Sequence, residues 1–174
     1  MKKYLIFTDL DGTLLDHENY SYGNNKKTIT SIINNENDVI FNTSKTFSES
    51  INLLKKLNLT NMPFSTENGA LLYFPKNRFK KIKNSSDYGK YWKIRIAKLS
   101  SKNWHQFLLK KQKKFKLLIA QDLPSKILKK YTNLDNTSKM LNREASQIIL
   151  WEDSLVNLRK FINELRSEKQ GVLI

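Results

Sequence analysis

The sequence predicts an α/β protein whose core is a parallel sheet, and three features support this fold class. An apolar run at residues 4–8 stops abruptly at polar residues, which is typical of a buried parallel strand. A second run, Asp38–Asn42, and a third at residues 64–67 follow with helical patterns beside them. Strands that alternate with helices in this way favour right-handed parallel connections.

The connecting segments carry local signals of their own. Isoleucines at helical spacing predict a helix over residues 26–35. Thr46-x-x-Glu49 is a capping box and predicts the start of a second helix. The Asn68–Gly69 pair predicts a turn with positive φ, and a further strand follows it at residues 71–74. The first part of the chain is therefore expected to form a compact α/β layer.

Beyond about residue 80 the pattern changes to short mixed elements, which predicts an α+β region. Trp92, Ile94, Ile96 and Leu99 fit a helix face and an exposed strand equally well. Further elements are expected at residues 103–109, 115–120, 125–131, 137–141 and 147–151, followed by a helix capped by Asp153 and a strand beginning at 172–174. The predicted organisation is residues 1–79 as the N-terminal part of a core and residues 80–174 as an inserted cap.

Composition excludes several classes of protein. The 174 residues include no cysteine, so the chain has no disulfide framework and no thiolate metal site. No window approaches the roughly 18 apolar residues of a membrane span. A cytoplasmic protein that does not bind membranes is the expectation.

The net charge of +15 raises the question of an anionic partner. Lysines cluster at residues 76–83 and 110–116, and such runs can bind nucleic acid or attract small phosphate esters. However, abundant Lys, Asn and Ile are also what an A+T-rich genome encodes, and no zinc-finger spacing or RNA-binding signature accompanies the lysines. A solvated basic surface is favoured over a nucleic-acid site.

Two carboxylates, Asp9 and Asp11, follow the first strand directly, and Gly12 and Thr13 come next. Open α/β sheets place their chemistry at the carboxyl ends of their strands. Two acids this close repel each other unless a cation or a shared proton intervenes, and Mg²⁺ prefers carboxylate and phosphate oxygens. An acidic turn is the alternative interpretation. The full pattern favours phosphoryl transfer through an aspartyl nucleophile.

The second and third strands end in further polar residues. Thr43, Ser44 and Lys45 follow the second strand, and a hydroxyl there can donate to a phosphoryl oxygen. These hydroxyls can also satisfy the next helix N-terminus, and the two roles are compatible because a helix N-terminus itself attracts anions. Asn68 and Gly69 follow the third strand and are expected at the same edge.

These motifs resemble those of a known family. Asp9-Leu-Asp-Gly-Thr is similar to the first motif of the haloacid dehalogenase-like hydrolases, most of which are phosphatases. Its extension through Tyr22, together with Thr43-Ser-Lys-Thr46, Glu67-Asn-Gly-Ala70 and Arg143-Glu-Ala-Ser146, resembles the mannosyl-3-phosphoglycerate phosphatase family. The resemblance covers nearly the whole chain and implies a partial Rossmann-like parallel sheet core with an inserted α+β cap of the C2 type.

The resemblance also implies a function and residue roles. The reaction would be Mg²⁺-dependent hydrolysis of mannosyl-3-phosphoglycerate to phosphate and mannosylglycerate, a compatible solute. Asp9 would be the nucleophile and a metal ligand, whereas Asp11 would be the acid/base and bind the metal through its main-chain carbonyl. The residues implied in phosphate or substrate binding are Thr43, Ser44, Lys45, Asn68, Gly69, Arg143 and Glu144.

Several alternatives stay open. Contacts in the cap decide which sugar is bound, so glucosyl-3-phosphoglycerate or another sugar phosphate is the nearest alternative substrate. The family's lysine and its Gly-Asp…Asn-Asp loop have no match in these 174 residues. An inactive remnant or a basic binding module is therefore a second class of function, and little turnover is expected from the chain alone. A separate C-terminal fragment or an oligomer partner could complete the site and cover the apolar edge expected at the first strand.

Overall fold

A computed structural model describes residues 3–16, 22–23, 25–35, 37–132 and 137–168, and the chain divides into two compact units. The division falls between Lys98 and Leu99, whereas the sequence suggested residues 79 and 80. The assignment of the second unit as a cap stays a prediction. His17, part of the family resemblance, and the strand expected at 172–174 lie outside the described residues.

The described part of the first unit contains two helices and six strands. Their bounds are β1 (Leu5–Asp9), α1 (Asn25–Asn34), β2 (Asp38–Asn42), α2 (Phe47–Lys56), β3 (Phe64–Thr66), β4 (Leu71–Pro75), β5 (Ser86–Tyr88) and β6 (Tyr91–Arg95). The expected strands and helices of this region are therefore present, with small differences at their ends. Residues 91–95, which fitted two interpretations, form a strand because they pair with β4.

The six strands form one sheet in the order β1-β2-β3-β4-β6-β5. Strands β1, β2 and β3 are parallel, which confirms the predicted α/β class. Strands β4, β6 and β5 extend the sheet in antiparallel pairs. Asp9 pairs with Asn42, and Asn42 pairs with Ser65, so the carboxyl ends of the three parallel strands lie side by side.

Helix α2 packs on the sheet through an aromatic cluster. The ring of Phe47, in the first turn of α2, lies 5.9 Å from that of Phe64 on β3 and 4.7 Å from that of Tyr73 on β4. Leu54, two turns further along α2, is fully buried. Burying large apolar side chains is the main favourable term in folding, so these contacts fix α2 against the sheet. The start of α2 is thereby held beside the carboxyl end of β2.

Strand β1 lies at an edge of the sheet, and its apolar side chains are exposed. Leu5 and Phe7 are 57% and 66% exposed. The expectation that this strand is buried is therefore wrong for the described residues, because Leu5 and Phe7 point to the same face of the sheet and the described residues leave that face uncovered. Among the described strands, β1 has a neighbour on one side only, and such an edge favours pairing with another strand.

The second unit is a mixture of short helices and a two-stranded antiparallel sheet. Its described elements are α3 (Ser101–Lys111), β7 (Leu117–Ile119), a 3₁₀ turn (Ala120–Asp122), α4 (Ser125–Thr132), α5 (Thr137–Leu141), β8 (Ile149–Trp151) and α6 (Leu155–Ser167). Phe161 on α6 is 1% exposed and contacts the rings of Phe115 and Trp151. This aromatic cluster is the centre of the unit's own core.

The N-cap of α6 differs from the expectation. Ser154, not Asp153, is the cap, and its hydroxyl accepts a hydrogen bond from the Asn157 amide. Asp153 lies one residue earlier, where its carboxylate accepts bonds from the backbone amides of Ser154 and Lys116. Sequence could not separate the two because both residue types are favoured N-caps. None of the described helices is both long enough and apolar enough to cross a membrane.

Candidate active site

Asp9 and Asp11 lie at the carboxyl end of β1, as expected. Asp9 is the last residue of the strand and is exposed. The chain then turns sharply, with Gly12 at a φ of 68° and the amides of Leu14 and Leu15 both donating to the Leu10 carbonyl. Glycine adopts that φ at little cost. The turn presents both carboxylates at the edge formed by the parallel strand ends.

The side chain of Lys45 forms an ion pair with Asp11. Its Nζ lies 2.8 Å from Asp11 Oδ2, and the two side chains are 20% and 28% exposed. The other oxygen, Asp11 Oδ1, is buried and has no hydrogen-bond partner among the residues that the structure describes. A buried carboxylate oxygen without a partner is energetically costly. The pair joins the loop after β1 to the loop after β2.

Thr43 lies at the centre of the loop after β2. It is 2% exposed, and its Oγ1 accepts a hydrogen bond of 3.2 Å from the Lys45 amide. Accepting that bond leaves the hydroxyl hydrogen available for donation to a substrate oxygen. Ser44 lies between these two residues and is exposed.

The same loop ends in the predicted capping box. Thr46 accepts from the Glu49 amide, and the Glu49 carboxylate accepts from the Thr46 amide at 2.9 Å. This reciprocal pattern satisfies helix donors that would otherwise lack partners. Thr46, rather than Thr43 or Ser44, is therefore the residue that caps α2. Capping of α2 therefore does not need Thr43 or Ser44, and their part in phosphate binding stays a prediction.

The loop after β3 is bonded directly to the loop after β2. The Asn68 amide donates to the Thr43 carbonyl at 3.0 Å, and the Glu67 amide donates to the Lys45 carbonyl at 2.9 Å. Asn68 and Gly69 have φ values of 59° and 84°, which confirms the predicted turn with positive φ. Backbone hydrogen bonds thus bring Thr43, Lys45 and Asn68 together.

Arg143 and Glu144 belong to the second unit. Arg143 Nε donates to Ser146 Oγ at 2.8 Å, and the Glu144 carbonyl accepts from the Ser101 amide at 2.9 Å. These bonds order the segment between α5 and β8. The suggested part of both residues in substrate binding stays a prediction.

Two residues at the end of β3 were not among the predicted site residues. Thr66 is fully buried, and its Oγ1 has no hydrogen-bond partner within the described part of the chain. Glu67 is 3% exposed and has a φ of 52°, which is uncommon for a residue other than glycine. The sequence feature that could have identified Thr66 and Glu67 is their position at the end of a predicted strand, beside Asn68. Burial of these polar groups, however, is not readable from local pattern.

The donor set fits Mg²⁺ in part. Hard oxygen ligands are what this ion prefers, and it is commonly bound by one or two carboxylates plus waters and substrate phosphate. Asp9 offers an exposed carboxylate, whereas the Lys45 contact makes the Asp11 side chain the poorer ligand. The Asp11 main-chain carbonyl is then the better second donor. No cluster of three or more acidic, His or Cys side chains occurs in the residues that the structure covers.

The fold and the site define a class of protein. It is an α/β protein with two carboxylates, a buried threonine and a lysine at the carboxyl edge of its parallel strands. The chain belongs to the haloacid dehalogenase-like hydrolase family, whose sequence pattern matches residues 6–172. This confirms the family resemblance of the motifs.

A curated relative carries a more specific name. The chain is 34% identical over 142 residues to the glucosyl-3-phosphoglycerate/mannosyl-3-phosphoglycerate phosphatase of Methanococcoides burtonii. The matched region covers 80% of this chain and 52% of that protein. The chain therefore spans about half the length of the relative.

Solved structures support the fold. A Thermoplasma acidophilum protein aligns with a TM-score of 0.59 at 16% identity, covering 97% of this chain and 58% of its own. A phosphatase of the haloalkanoate enzyme superfamily from Bacteroides thetaiotaomicron aligns with a TM-score of 0.58 at 14% identity, covering 95% and 61% respectively. At such identities the likeness establishes the Rossmann-like fold alone.

Proposed function

We propose that this chain is the nucleophile-bearing part of a Mg²⁺-dependent phosphatase that converts mannosyl-3-phosphoglycerate to mannosylglycerate and phosphate. The observation that carries the proposal is the linked set of Asp11, Lys45 and Thr43 beside the exposed Asp9. The name of the Methanococcoides relative supports the choice of substrate. Glucosyl-3-phosphoglycerate, which appears in the same name, is the nearest alternative.

The chemistry assigns different tasks to the two acids. A carboxylate oxygen of Asp9 attacks phosphorus, and the bond from phosphorus to the glycerate oxygen breaks. Asp11 gives its proton to that leaving oxygen and later takes a proton from the water that hydrolyses the aspartyl-phosphate. The Lys45 contact favours the carboxylate form of Asp11 and so suits the second step, in which Asp11 takes a proton from water. For the first step the proton would sit on Asp11 Oδ1, the oxygen that Lys45 does not contact and that no described residue bonds.

The remaining polar groups would hold the phosphoryl group. Thr43 donates its hydroxyl hydrogen to a phosphoryl oxygen, and the loop that carries it is fixed by Asn68. The Asp9 side chain and the Asp11 carbonyl would hold Mg²⁺, which supplies charge neutralisation and orientation of the phosphate when bound. Ser44 and Gly69 line the same edge, and Arg143 and Glu144 are proposed to contact the sugar or glycerate.

Metal binding tests this proposal without requiring turnover. Mn²⁺ is titrated in the presence of inorganic phosphate, and free Mn²⁺ is followed by electron paramagnetic resonance. Asp9→Asn should weaken binding by about tenfold or more, which corresponds to about 1.4 kcal/mol. Asp16→Asn is the matched control, since Asp16 is an exposed acid in the same segment. Equal Mn²⁺ binding by the two variants would refute the proposed site.

Substrate choice needs a second measurement. Phosphate release from the mannosyl and glucosyl compounds is followed by ³¹P NMR, for the chain alone and with a candidate complementing fragment. We expect little release by the chain alone and Asp9-dependent release once the site is completed. Preference for the glucosyl compound would favour the alternative substrate.

The second class of function is a basic binding module, for which the net charge of +15 is the supporting observation. A gel shift with nucleic acid that disappears at high salt, combined with no Mn²⁺ binding, would favour it.

A further inference from the structure

The first unit contains a cavity that the proposed catalytic residues do not line. Its volume is about 820 Å³, within the usual range for small-molecule sites. One wall is a stripe of α2 formed by Phe47, Ile51 and Lys55, which are spaced one turn apart on the same helix face. The opposite wall is the turn between β5 and β6, at residues 88–91.

Most of the cavity lies toward the amino-terminal ends of the parallel strands, whereas Asp9 lies at their carboxyl ends. Pro75, which lines it, is the last residue of β4, and β4 runs antiparallel to β3. Thr60 precedes β3, and Lys55 is in the last turn of α2. All three therefore lie toward the amino-terminal ends of the parallel strands, whereas Asp9 and Thr43 lie at the carboxyl ends. Phe47, at the start of α2, also lines the cavity, but Asp9, Asp11, Thr43 and Lys45 do not.

The inner surface of the cavity is apolar and aromatic. The ring of Phe47 meets that of Tyr88 edge to face, with centroids 4.9 Å apart. Tyr91 is 5% exposed, and its hydroxyl donates to the Thr60 carbonyl at 2.9 Å. Tyr91 is therefore part of the buried base of the cavity, and the half-buried rings of Phe47 and Tyr88 supply its accessible apolar surface. A flat apolar group would find complementary surface here.

The rim of the cavity is basic. Its lining includes Lys55, Lys76 and Lys90 and no acidic residue. Lys76 is already engaged, because its Nζ contacts Asp87 at 2.5 Å and lies 4.6 Å from the Trp92 ring. Lys55 and Lys90 are exposed, and neither has an ion-pair partner among the residues that the structure describes. The rim therefore retains positive charge for an anionic ligand.

Lys90 lies in a tight two-residue hairpin turn. Tyr88 pairs with Tyr91, so Gly89 and Lys90 form a two-residue turn, with Gly89 at a φ of 60°. Glycine at the first central position is typical of type II′ hairpin turns, which match the twist of the strands. This tight connection fixes the Lys90 backbone at the rim, opposite Lys55.

We propose that this cavity binds a small organic anion that combines a flat ring with a phosphate group, the chemistry of a mononucleotide. The ring would pack against Phe47 and Tyr88, and Lys55 and Lys90 would bind the phosphate. The alternative explanation for Lys55 is a favourable interaction with the C-terminus of α2, which Lys56 shares. Lys56 does not line the cavity, so the two lysines distinguish the explanations.

Amide NMR of the whole chain tests the proposal, with adenosine 5′-monophosphate as the probe and EDTA present to exclude metal. The Gly89 amide should shift saturably, whereas the Gly12 and Gly69 amides at the candidate active site should not. Adenosine and inorganic phosphate should each bind about tenfold more weakly or worse, because each lacks half of the recognised chemistry.

Matched charge reversals complete the test. Lys55→Glu should weaken binding by about tenfold or more, and Lys56→Glu by less than about twofold. Lys55→Gln, which keeps a similar length without the charge, should fall between them. Equal effects of Lys55→Glu and Lys56→Glu, equal binding of inorganic phosphate and the nucleotide, or shifts confined to Gly12 and Gly69 would each overturn the proposal. Failure of the phosphatase proposal would leave these outcomes unchanged, because Asp9 takes no part in them.

Discussion

The ion pair between Lys45 and Asp11 provides the sharpest stability prediction. Lys45→Met removes the ammonium that lies 2.8 Å from Asp11 Oδ2 and leaves a carboxylate whose Oδ1 already lacks a partner in the described structure. Exposed pairs contribute about 0–1 kcal/mol, and breaking a buried pair costs about 3–5 kcal/mol. With the side chains 20% and 28% exposed, we expect a loss of about 1–3 kcal/mol in the first unit.

Hydrogen exchange at the Phe41 amide is a suitable assay. That amide donates to the Pro63 carbonyl, and Phe41 is fully buried in the first unit. Its exchange therefore reports the opening of this unit separately from the second. Lys56→Met is the control, because Lys56 is exposed and lies on the neighbouring helix. A double-mutant cycle with Asp11→Asn then isolates the pair.

The cycle has a clear refuting result. Asp11→Asn removes the charge that Lys45 neutralises. In the Asp11→Asn variant, Lys45→Met should therefore lower the unfolding free energy much less than it does in the original protein. If Lys45→Met and Lys56→Met destabilise equally, or if the coupling energy is below about 0.3 kcal/mol, the pair does not hold the two loops together.

Three further predictions concern other parts of the chain. Phe7→Lys should reduce self-association in analytical ultracentrifugation with little change in unfolding free energy, because Phe7 is 66% exposed on an edge strand; unchanged association would contradict this. Phe161→Ala should destabilise the second unit by about 3–5 kcal/mol and reduce its near-ultraviolet circular dichroism, and a loss below about 1 kcal/mol would argue against the aromatic core. The Lys116 amide and other donors lower the pKa of Asp153 below 3.8. The stabilising effect of Asp153 is therefore complete above pH 3.8 and is lost as pH falls through the lower folded-state pKa. Asp153→Asn should remove this part of the acid sensitivity of the second unit, which pH-dependent unfolding measures.

Elements with strong local chemistry were predictable from sequence alone. The strand Asp38–Asn42 was expected with the bounds that it has, because a short apolar run between polar residues has few alternatives. The Thr46–Glu49 capping box and the Asn68–Gly69 turn were also expected, since each depends on side chains a few residues apart. The placement of Asp9 and Asp11 at a strand end followed from the same reasoning.

Features that depend on distant pairing were not predictable in this way. The strand at residues 91–95 could not be separated from a helix face, because its pattern is decided by pairing with β4. The expectation of a buried β1 was wrong because burial of an apolar strand depends on what packs on the face that its side chains meet, and Leu5 and Phe7 stay exposed on their face among the described residues.

The candidate active site shows the same difference between features set by local sequence and features set by distant contacts. The sequence by itself determined which chemical groups are present at the strand ends, namely two carboxylates, hydroxyls and a lysine. Only the tertiary structure decided that Lys45 binds Asp11, that Thr43 is buried with a hydroxyl hydrogen left to donate, and that the Asn68 amide ties two loops together. The physical reason is that residue type sets chemistry locally, whereas hydrogen bonds and ion pairs between separate loops depend on how parallel strands bring their ends side by side.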